Sequence, residues 1–320
     1  ELAPFVLDRK KGAEFDELEC KYQFARGWFD SLEATNFTVA FSRAVARAPQ
    51  IRLLRRLVLT EDSFEDEGEY EAGDDVPEDA EFPALYPLAR SPYLGNVRVL
   101  QLGERTDDKP EEFNCHLFGG AAAVGLIKRM PRLEELYLLA HEVDCNQLFD
   151  LKSLDNLRVL QVYHNTSYPL ARLAKNPSLG KLTHLLCHPH AVEEEPYIRL
   201  PGLRAVVRST TLPSLTHLQL RLSDFGDKGA AEIVSSGALK RLKLLDLRGG
   251  TITDKGAQEL AACPDLRNLE SLNLDRNCLS AAGVAALKKT GVDFTAKKQW
   301  VLGEESDYGA PEYLFEGDIE

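Results

Sequence analysis

One spacing constrains this chain more than any other feature: an apolar residue followed by others at +3, +6 and +8. The first four rows are Ile51-Leu54-Leu57-Leu59, Leu94-Val97-Leu100-Leu102, Met130-Leu133-Leu136-Leu138 and Leu154-Leu157-Leu160-Val162. The next four are Leu179-Leu182-Leu185-Cys187, Leu212-Leu215-Leu218-Leu220, Leu239-Leu242-Leu245-Leu247 and Leu266-Leu269-Leu272-Leu274. All 32 positions are apolar and 27 are leucine, so the pattern belongs to a repeat and not to one amphipathic segment. Steps between rows are 43, 36, 24, 25, 33, 27 and 27 residues, so the units are unequal and the last three are regular.

The last units carry a second register. Gly229, Gly256 and Gly283 lie 27 apart and open the runs GAAEIV, GAQELA and GVAALK. Asp227 and Asp254 stand two residues before the first two glycines, where helix caps belong; in the third unit the equivalent residue is Ala281, with Ser280 beside it as the candidate cap. The Leu-x-Leu end of each row reads as a short strand with alternate residues inward, and the run after it as a helix packed on the same core. One such unit cannot bury its leucines alone; stacked units can, and they form a curved solenoid with a parallel sheet on the concave side.

On these rows and 27-residue units the chain resembles leucine-rich-repeat proteins of the ribonuclease-inhibitor-like class. The resemblance implies an α/β fold: a solenoid of about eight repeats with a concave parallel sheet, convex helices and an N-terminal cap. The repeat's asparagine position holds Asn only at Asn165 and Asn277; elsewhere it holds Asp62, Arg105, His141, His190, Ser223 and Gly250. That departure predicts irregular turn hydrogen bonding, above all in the first half.

Three segments follow: a capping segment over 1–50, the solenoid over 51–296 and a tail over 297–320. In the cap, NFTVAFSRAVARAPQ reads as a helix capped near Asn36 or Thr38, with Val39, Phe41 and Val45 on the core side, ending before Pro49. Trp28 and Phe29 are suited to plugging the open end of the first repeat. The long steps contain an acidic insert, 61–81, after the first strand, and a second insertion, HPHAVEEEPYIRLPG, before a helix LRAVVRS. The stretch FARGWFDSLEA…FSRAVARAPQIRLLRRLVL, with the closing EYLFEGDIE, resembles bacterial leucine-rich-repeat proteins of planctomycete type. Those carry an N-terminal repeat-companion domain, and this chain looks like the part that follows it. The resemblance supplies architecture and no activity.

Net charge is −13, but 12 acids fall in 61–81 and 7 in 303–320, both without a base, which leaves the remainder at +6. An acidic whole argues against nucleic-acid binding, and a mildly basic body keeps it as a third reading. No apolar run approaches the roughly 18 residues of a spanning helix, so no membrane segment is expected. The chain starts at Glu1 with no basic, apolar leader. The six cysteines are scattered and form no C-x-x-C pair, so they read as reduced thiols in a cytoplasmic protein, mostly packed as small apolar residues.

Four segments carry residue types that bear on chemistry. Gly119–Gly125 is glycine-rich, but Leu126 stands where a phosphate loop needs Lys, and the segment reads as a helix opening. His184, His188, His190 and His217 lie on or beside two adjacent strands, with His184 and His217 in equivalent positions about 5 Å apart. Such a pair admits zinc, yet no cysteine or carboxylate is in register with it, so an exposed polar stripe is the plainer reading. The run His141–Cys145 reads as a polar loop. Paired acids such as Asp74-Asp75 sit in the insert with nothing to shift their pKa. No nucleophile–His–Asp set can be placed, so no catalytic residue, metal or cofactor is assigned.

The residues between and just after the strand leucines face the concave solvent. They include Tyr137, Val159, Gln161, Tyr163, His164, His184, Leu186, His188, His217, Gln219, Arg221, Asp246 and Arg248. Tyr, His and Arg in one stripe match the composition of interfaces, so the expected function is a non-catalytic scaffold that binds a protein or peptide. The alternative is a metal-dependent enzyme or subunit using the His184, His188 and His217 stripe. The tail, with Tyr308, Tyr313, Leu314 and Phe315 among its acids, is either a solubilising tail or a segment that docks on the protein's own basic groove. Removing 61–81 is expected to leave the thermal midpoint nearly unchanged.

Overall fold

A computed structural model describes residues 18–60, 75–77, 80, 83–104, 117, 119–189 and 198–303. His190, Asp74, Cys115 and residues 304–320 therefore lie outside the described residues. An eleven-stranded sheet runs in strict chain order. Its strands are β1 (Glu19–Ala25), β2 (Trp28–Thr35), β3 (Arg56–Leu59), β4 (Val99–Leu102), β5 (Glu135–Leu139) and β6 (Val159–Asn165). They continue with β7 (His184–Pro189), β8 (His217–Leu220), β9 (Leu244–Asp246), β10 (Ser271–Asn273) and β11 (Phe294–Thr295). Every pairing from β2 onward is parallel, with equivalent leucines side by side: Leu57 with Leu100, Leu136 with Leu160, Leu218 with Leu245. All 32 row positions are buried, which is why the leucine frame was so regular. Each unit's leucines have hydrophobic neighbours above and below, and only the stack removes them from water.

The sheet extends beyond the eight rows at both ends. β2 pairs in parallel with β3, placing Leu32 beside Leu57 and Ala34 beside Leu59. The helix α1 (Val39–Arg47) follows it, and its N-cap is Thr38, whose hydroxyl accepts from Phe41 N at 3.1 Å. β1 returns antiparallel on β2 through Arg26-Gly27, both with positive φ. Two left-handed residues make the tight hairpin turn whose twist matches the strands. Phe29 closes the end of the core, whereas Trp28 remains 51% exposed beside the Arg52 guanidinium, because strand alternation turns the two aromatics to opposite faces.

The convex layer is thickest at the C-terminal end, where α6 (Leu200–Val207), α7 (Gly226–Ser236), α8 (Asp254–Ala262) and α9 (Ala281–Lys288) stack. Gly120–Ile127 is a helix, as the glycine-rich opening implied. Ser280 caps α9 as expected, but Asp227 and Asp254 do not cap their own helices. Thr253 caps α8, and Asp227 reaches forward one repeat to accept from Thr253 N at 2.8 Å and Gly256 N at 3.0 Å. Asp254 does the same for Ser280 N and Gly283 N, at 2.8 and 2.9 Å. A carboxylate thus satisfies orphan amides at the next helix's N-terminus and ties the repeats together.

In the last units the turns are more regular than the missing asparagines implied. Asn277 donates to Leu247 O at 2.9 Å and accepts from Ile252 N at 3.0 Å. Yet Ser223 N and Gly250 N still bond the carbonyls of Gly249 and Arg276, both at 2.9 Å. In these last units the backbone ladder carries the turn without the asparagine side chain.

The described part of the acidic insert is anchored, contrary to the expectation of an inert loop. Val76 is buried in the core, and Asp75 takes a bidentate ion pair from Arg43 of α1, with an Nη2–Oδ1 distance of 2.9 Å. That guanidinium holds the Asp75 carboxyl below its ordinary range. Deleting 61–81 removes one buried valine, worth about 1.5–3 kcal/mol, besides the ion pair. The deletion is now expected to lower stability by about 2 kcal/mol in chemical denaturation, with Val76→Ala reproducing much of the loss. An unchanged midpoint would contradict the anchoring.

The concave candidate face

Strand alternation sends the non-core residues of β5 to β10 into the concavity, where the parallel register lines them up in rows. The first row runs Glu135, Val159, His184, His217, Leu244 and Ser271; the second runs Tyr137, Gln161, Leu186, Gln219, Asp246 and Asn273. Leu139, Tyr163 and His188 follow in a third, and Arg221 and Arg248 occupy its later places.

Within this face Tyr137, Gln161, His184, His217, Gln219 and Arg248 are partly exposed, as the sequence implied. Others are not. Tyr163 is 1% exposed and His188 1%, with their rings stacked at 5.8 Å, and Leu186 and Leu139 are buried with Tyr163 in an apolar cluster apart from the main core. Arg221 and Asp246 are also buried, because they satisfy each other: Arg221 donates to Asp246 at 2.9 Å and to Gln219 at 2.9 Å. Asp246 also accepts from Arg248 N at 3.1 Å, with the Arg248 side chain 3.9 Å away. His164 leaves the stripe altogether. Its backbone is left-handed, with φ 53°, and its ring packs edge-on to His141 at 5.4 Å. Pairing of polar groups and a change of backbone hand thus account for the departures from a plain solvated stripe.

His184 and His217 stack at 3.9 Å between ring centroids. Each is oriented by the threonine before it: Thr183 Oγ1 lies 2.8 Å from His184 Nδ1, and Thr216 Oγ1 2.9 Å from His217 Nδ1. Each hydroxyl spends its one proton on a carbonyl, Arg158 O or Thr183 O, so it accepts from the ring. Both neutral imidazoles are therefore Nδ1–H tautomers, and both present Nε2 as an acceptor. The repeated Thr-His dipeptide in one register was the available signal for this pair. Glu135, which accepts from Tyr137 Oη at 2.8 Å, gave none. Among the described residues no three His, Cys, Asp or Glu side chains are grouped to hold a metal ion.

Burial depresses both histidine pKa values, and for His217 the neighbouring His184 adds to it. A folded pKa below the unfolded value near 6.5 means the unfolded chain binds more protons as pH falls through that value. The pair's contribution is then full at neutral pH and declines from about pH 6.5 downward. Between pH 7.5 and 5.5 the parent is expected to lose more of its melting temperature than the His184→Gln, His217→Gln variant. Equal losses would show that the pair does not titrate as described.

Three segments, 211–234, 241–261 and 265–288, match the model of the Leucine Rich repeat. They cover the strand and helix of each of the last three regular units. The fold is a leucine-rich-repeat solenoid. A protein of known structure from Bacteroides fragilis is similar over 85% of this chain and 72% of its own, at 14% identity and a TM-score of 0.51. An internalin from Listeria monocytogenes is similar over 80% and 71%, at 16% identity and a TM-score of 0.43. The first likeness shows a shared fold; neither extends to a ligand. No curated protein matches the sequence. In this leucine-rich-repeat solenoid no described helix is long and apolar enough to cross a membrane.

Proposed function

We propose that the chain is a non-catalytic scaffold that binds a protein or peptide on the concave face. The observation that carries this reading is the arrangement on β5 to β8: the half-exposed Tyr137, Gln161, His184, His217 and Gln219 surround the buried Tyr163–Leu186–Leu139 cluster. Rigid aromatics beside an apolar centre, with oriented polar groups at the edge, are the composition that gives interfaces most of their binding energy. Two Nε2 acceptors and the amides of Gln161 and Gln219 suit a ligand that offers backbone or side-chain N–H groups. The likeness to planctomycete-type bacterial proteins with a companion domain belongs to the same proposal, as does the cytoplasmic setting. The wider partner-binding set also takes in Arg221 and Arg248, whose shared Asp246 offsets part of the charge that a phosphate backbone would require.

The test is affinity capture from the source cell with three baits: the parent, a Tyr137→Ala, His184→Ala, His217→Ala variant, and a convex variant with Lys255→Glu. A partner retained by the parent and the convex variant, and lost by the concave one, supports the reading. Loss with the convex variant alone would move the site to the other face. Stoichiometric zinc in the purified parent, absent from the concave variant, would favour the metal-dependent alternative.

A further inference from the structure

Two neutral acceptors stand side by side on the concave face. His184 and His217 are register partners, and their rings are nearly parallel, 19° apart with centroids 3.9 Å from each other. Each ring turns its Nδ1 to the hydroxyl of the threonine before it, so both Nε2 atoms leave the stack on the same side. Their lone pairs run alongside each other and do not converge. The row continues as Val159 on one flank and Leu244 on the other, both partly exposed, and the buried Leu186 stands two residues beyond His184 on the same strand. An aliphatic stem can lie on these side chains while a polar head meets the two nitrogens.

Among the described residues, the ionised groups that shift the pair are carboxylates. Glu135 of β5 acts on His184, and Glu270, the residue before β10, acts on His217. Glu135 is held by the Tyr137 hydroxyl at 2.8 Å, and Glu270 is paired with Lys243 at 3.4 Å. Both carboxylates favour protonated rings. Burial, joined at His217 by the neighbouring His184, outweighs them and keeps the imidazoles neutral at neutral pH. Two unprotonated nitrogens between two carboxylates suit a cation that donates hydrogen bonds.

Three kinds of cation meet such a pair differently. A metal ion needs lone pairs that converge on one point, and stacked rings aim theirs in parallel. An ammonium is also a point charge and has to sit between them. A guanidinium is planar and carries parallel N–H groups in a rigid fork. Laid edge-on across the stack, it gives one N–H to each Nε2 with only a slight bend.

We propose that the His184–His217 pair is a binding site for a guanidinium group, the arginine side chain of the protein or peptide that the concave face binds. The stem lies on the aliphatic flank of the row, and Glu135 and Glu270 balance the charge. The proposal rests on the concave-face reading for the molecule that carries the arginine, whereas the site itself is measured without that partner.

The experiment is nuclear magnetic resonance of the full chain at pH 7.5 and low salt, with Ac-Gly-Arg-Gly-NH2 as the probe. The ring signals of His184 and His217 and the methyl signals of Val159 and Leu244 are followed. Counterparts with lysine or citrulline in place of arginine are the comparisons, since citrulline keeps N–H groups and lacks the charge. The arginine peptide is expected to shift both histidines saturably and to bind at least about fivefold more tightly than either counterpart. Its affinity is expected to weaken with salt and to fall about tenfold per pH unit below the pair's pKa, because protonation consumes the acceptors. A His184→Phe, His217→Phe variant keeps two flat rings without the nitrogens. It is expected to lose the preference for arginine, with circular dichroism melts showing that it is folded. Equal affinity for the arginine and citrulline peptides, a preference for lysine, or no saturable shift at the pair would overturn the proposal. Arginine-selective binding at the pair with no partner captured through the concave face would sustain this site and count against the scaffold reading. A captured partner with no arginine selectivity at the pair would do the reverse.

Discussion

Leu272→Asp is expected to unfold the C-terminal repeats while the N-terminal half remains ordered. Leu272 has no exposed surface, and its strand β10 sits between β9 and β11, with Leu245 on one side and Phe294 on the other. Removing the leucine side chain from such a site costs about 2–5 kcal/mol. An ionised carboxylate there adds several more, unless it takes up a proton and shifts the cost to pH. Together these approach the whole stability of an ordinary domain, about 5–15 kcal/mol. In a solenoid each unit is held by its neighbours, so the loss concentrates where the charge is placed. Hydrogen exchange is expected to show amides of β9 to β11 unprotected and those of β4 to β6 close to the parent. The control is Ser271→Asp, one residue away on the opposite face of the strand, expected within about 0.5 kcal/mol of the parent. If the two variants melt alike, the inward frame is wrong.

That contrast rests on what made the fold legible. The leucines of eight rows are buried by identical neighbours on both sides, so the same residue type recurs at the same offsets. Among the described residues the flanking units have another repeat on one side only, β2 meeting the antiparallel β1 on its other side, and their frames degrade accordingly. β2 follows the frame as Arg26-Phe29-Leu32-Ala34 and β11 as Lys288-Gly291-Phe294-Ala296, each beginning on a charged residue. The register to β3 and β10 shows them to be strands of the same ladder. The β1–β2 hairpin had a local signal in Arg26-Gly27, a two-residue turn between alternating segments that lies outside the leucine rows.

The candidate face was legible in direction but not in environment. Period-two alternation put Tyr163, His188 and Arg221 on the concave side, and they lie there. Whether a side chain on that side meets water depends on its lateral neighbours and on what lies above it. Asp246 shows the first case: spacing alone does not say that one carboxylate will take Arg221 and approach Arg248. Tyr163 is a further instance of it, held among Leu139, Leu186 and the His188 ring. The anchoring of Asp75 and Val76 was hidden for a similar reason, since a dense run of acids reads as solvated unless the position of Arg43 is known. His164 was lost through backbone hand, which residue type signals only weakly outside glycine.

Gly256→Val is expected to be the most damaging single change on the convex side, at about 3 kcal/mol or more from overpacking together with a lost cap. The 27-residue glycine register reads at first as helix punctuation, but the geometry gives another cause. A Cβ at Gly256 would stand 2.6 Å from Asp227 Oδ1, 2.9 Å from Ile252 Cγ2 and 3.2 Å from Ala230 Cβ. The carboxylate must come that close because it accepts from Gly256 N, Thr253 N and the Thr253 hydroxyl at once. A side chain at 256 therefore displaces the acceptor of two backbone amides and pushes α8 away from α7. Gly283 repeats the arrangement, with its added Cβ 2.3 Å from Asp254 Oδ1. Asp227→Ala supplies the matching half of the test. It removes the acceptor and relieves part of the clash, so the double variant Asp227→Ala, Gly256→Val is expected to be less destabilised than the sum of its singles by at least about 1 kcal/mol. Denaturant titrations of the four proteins give that coupling. Simple additivity would mean that Gly256 is there for the helix alone and not for the carboxylate of the preceding repeat.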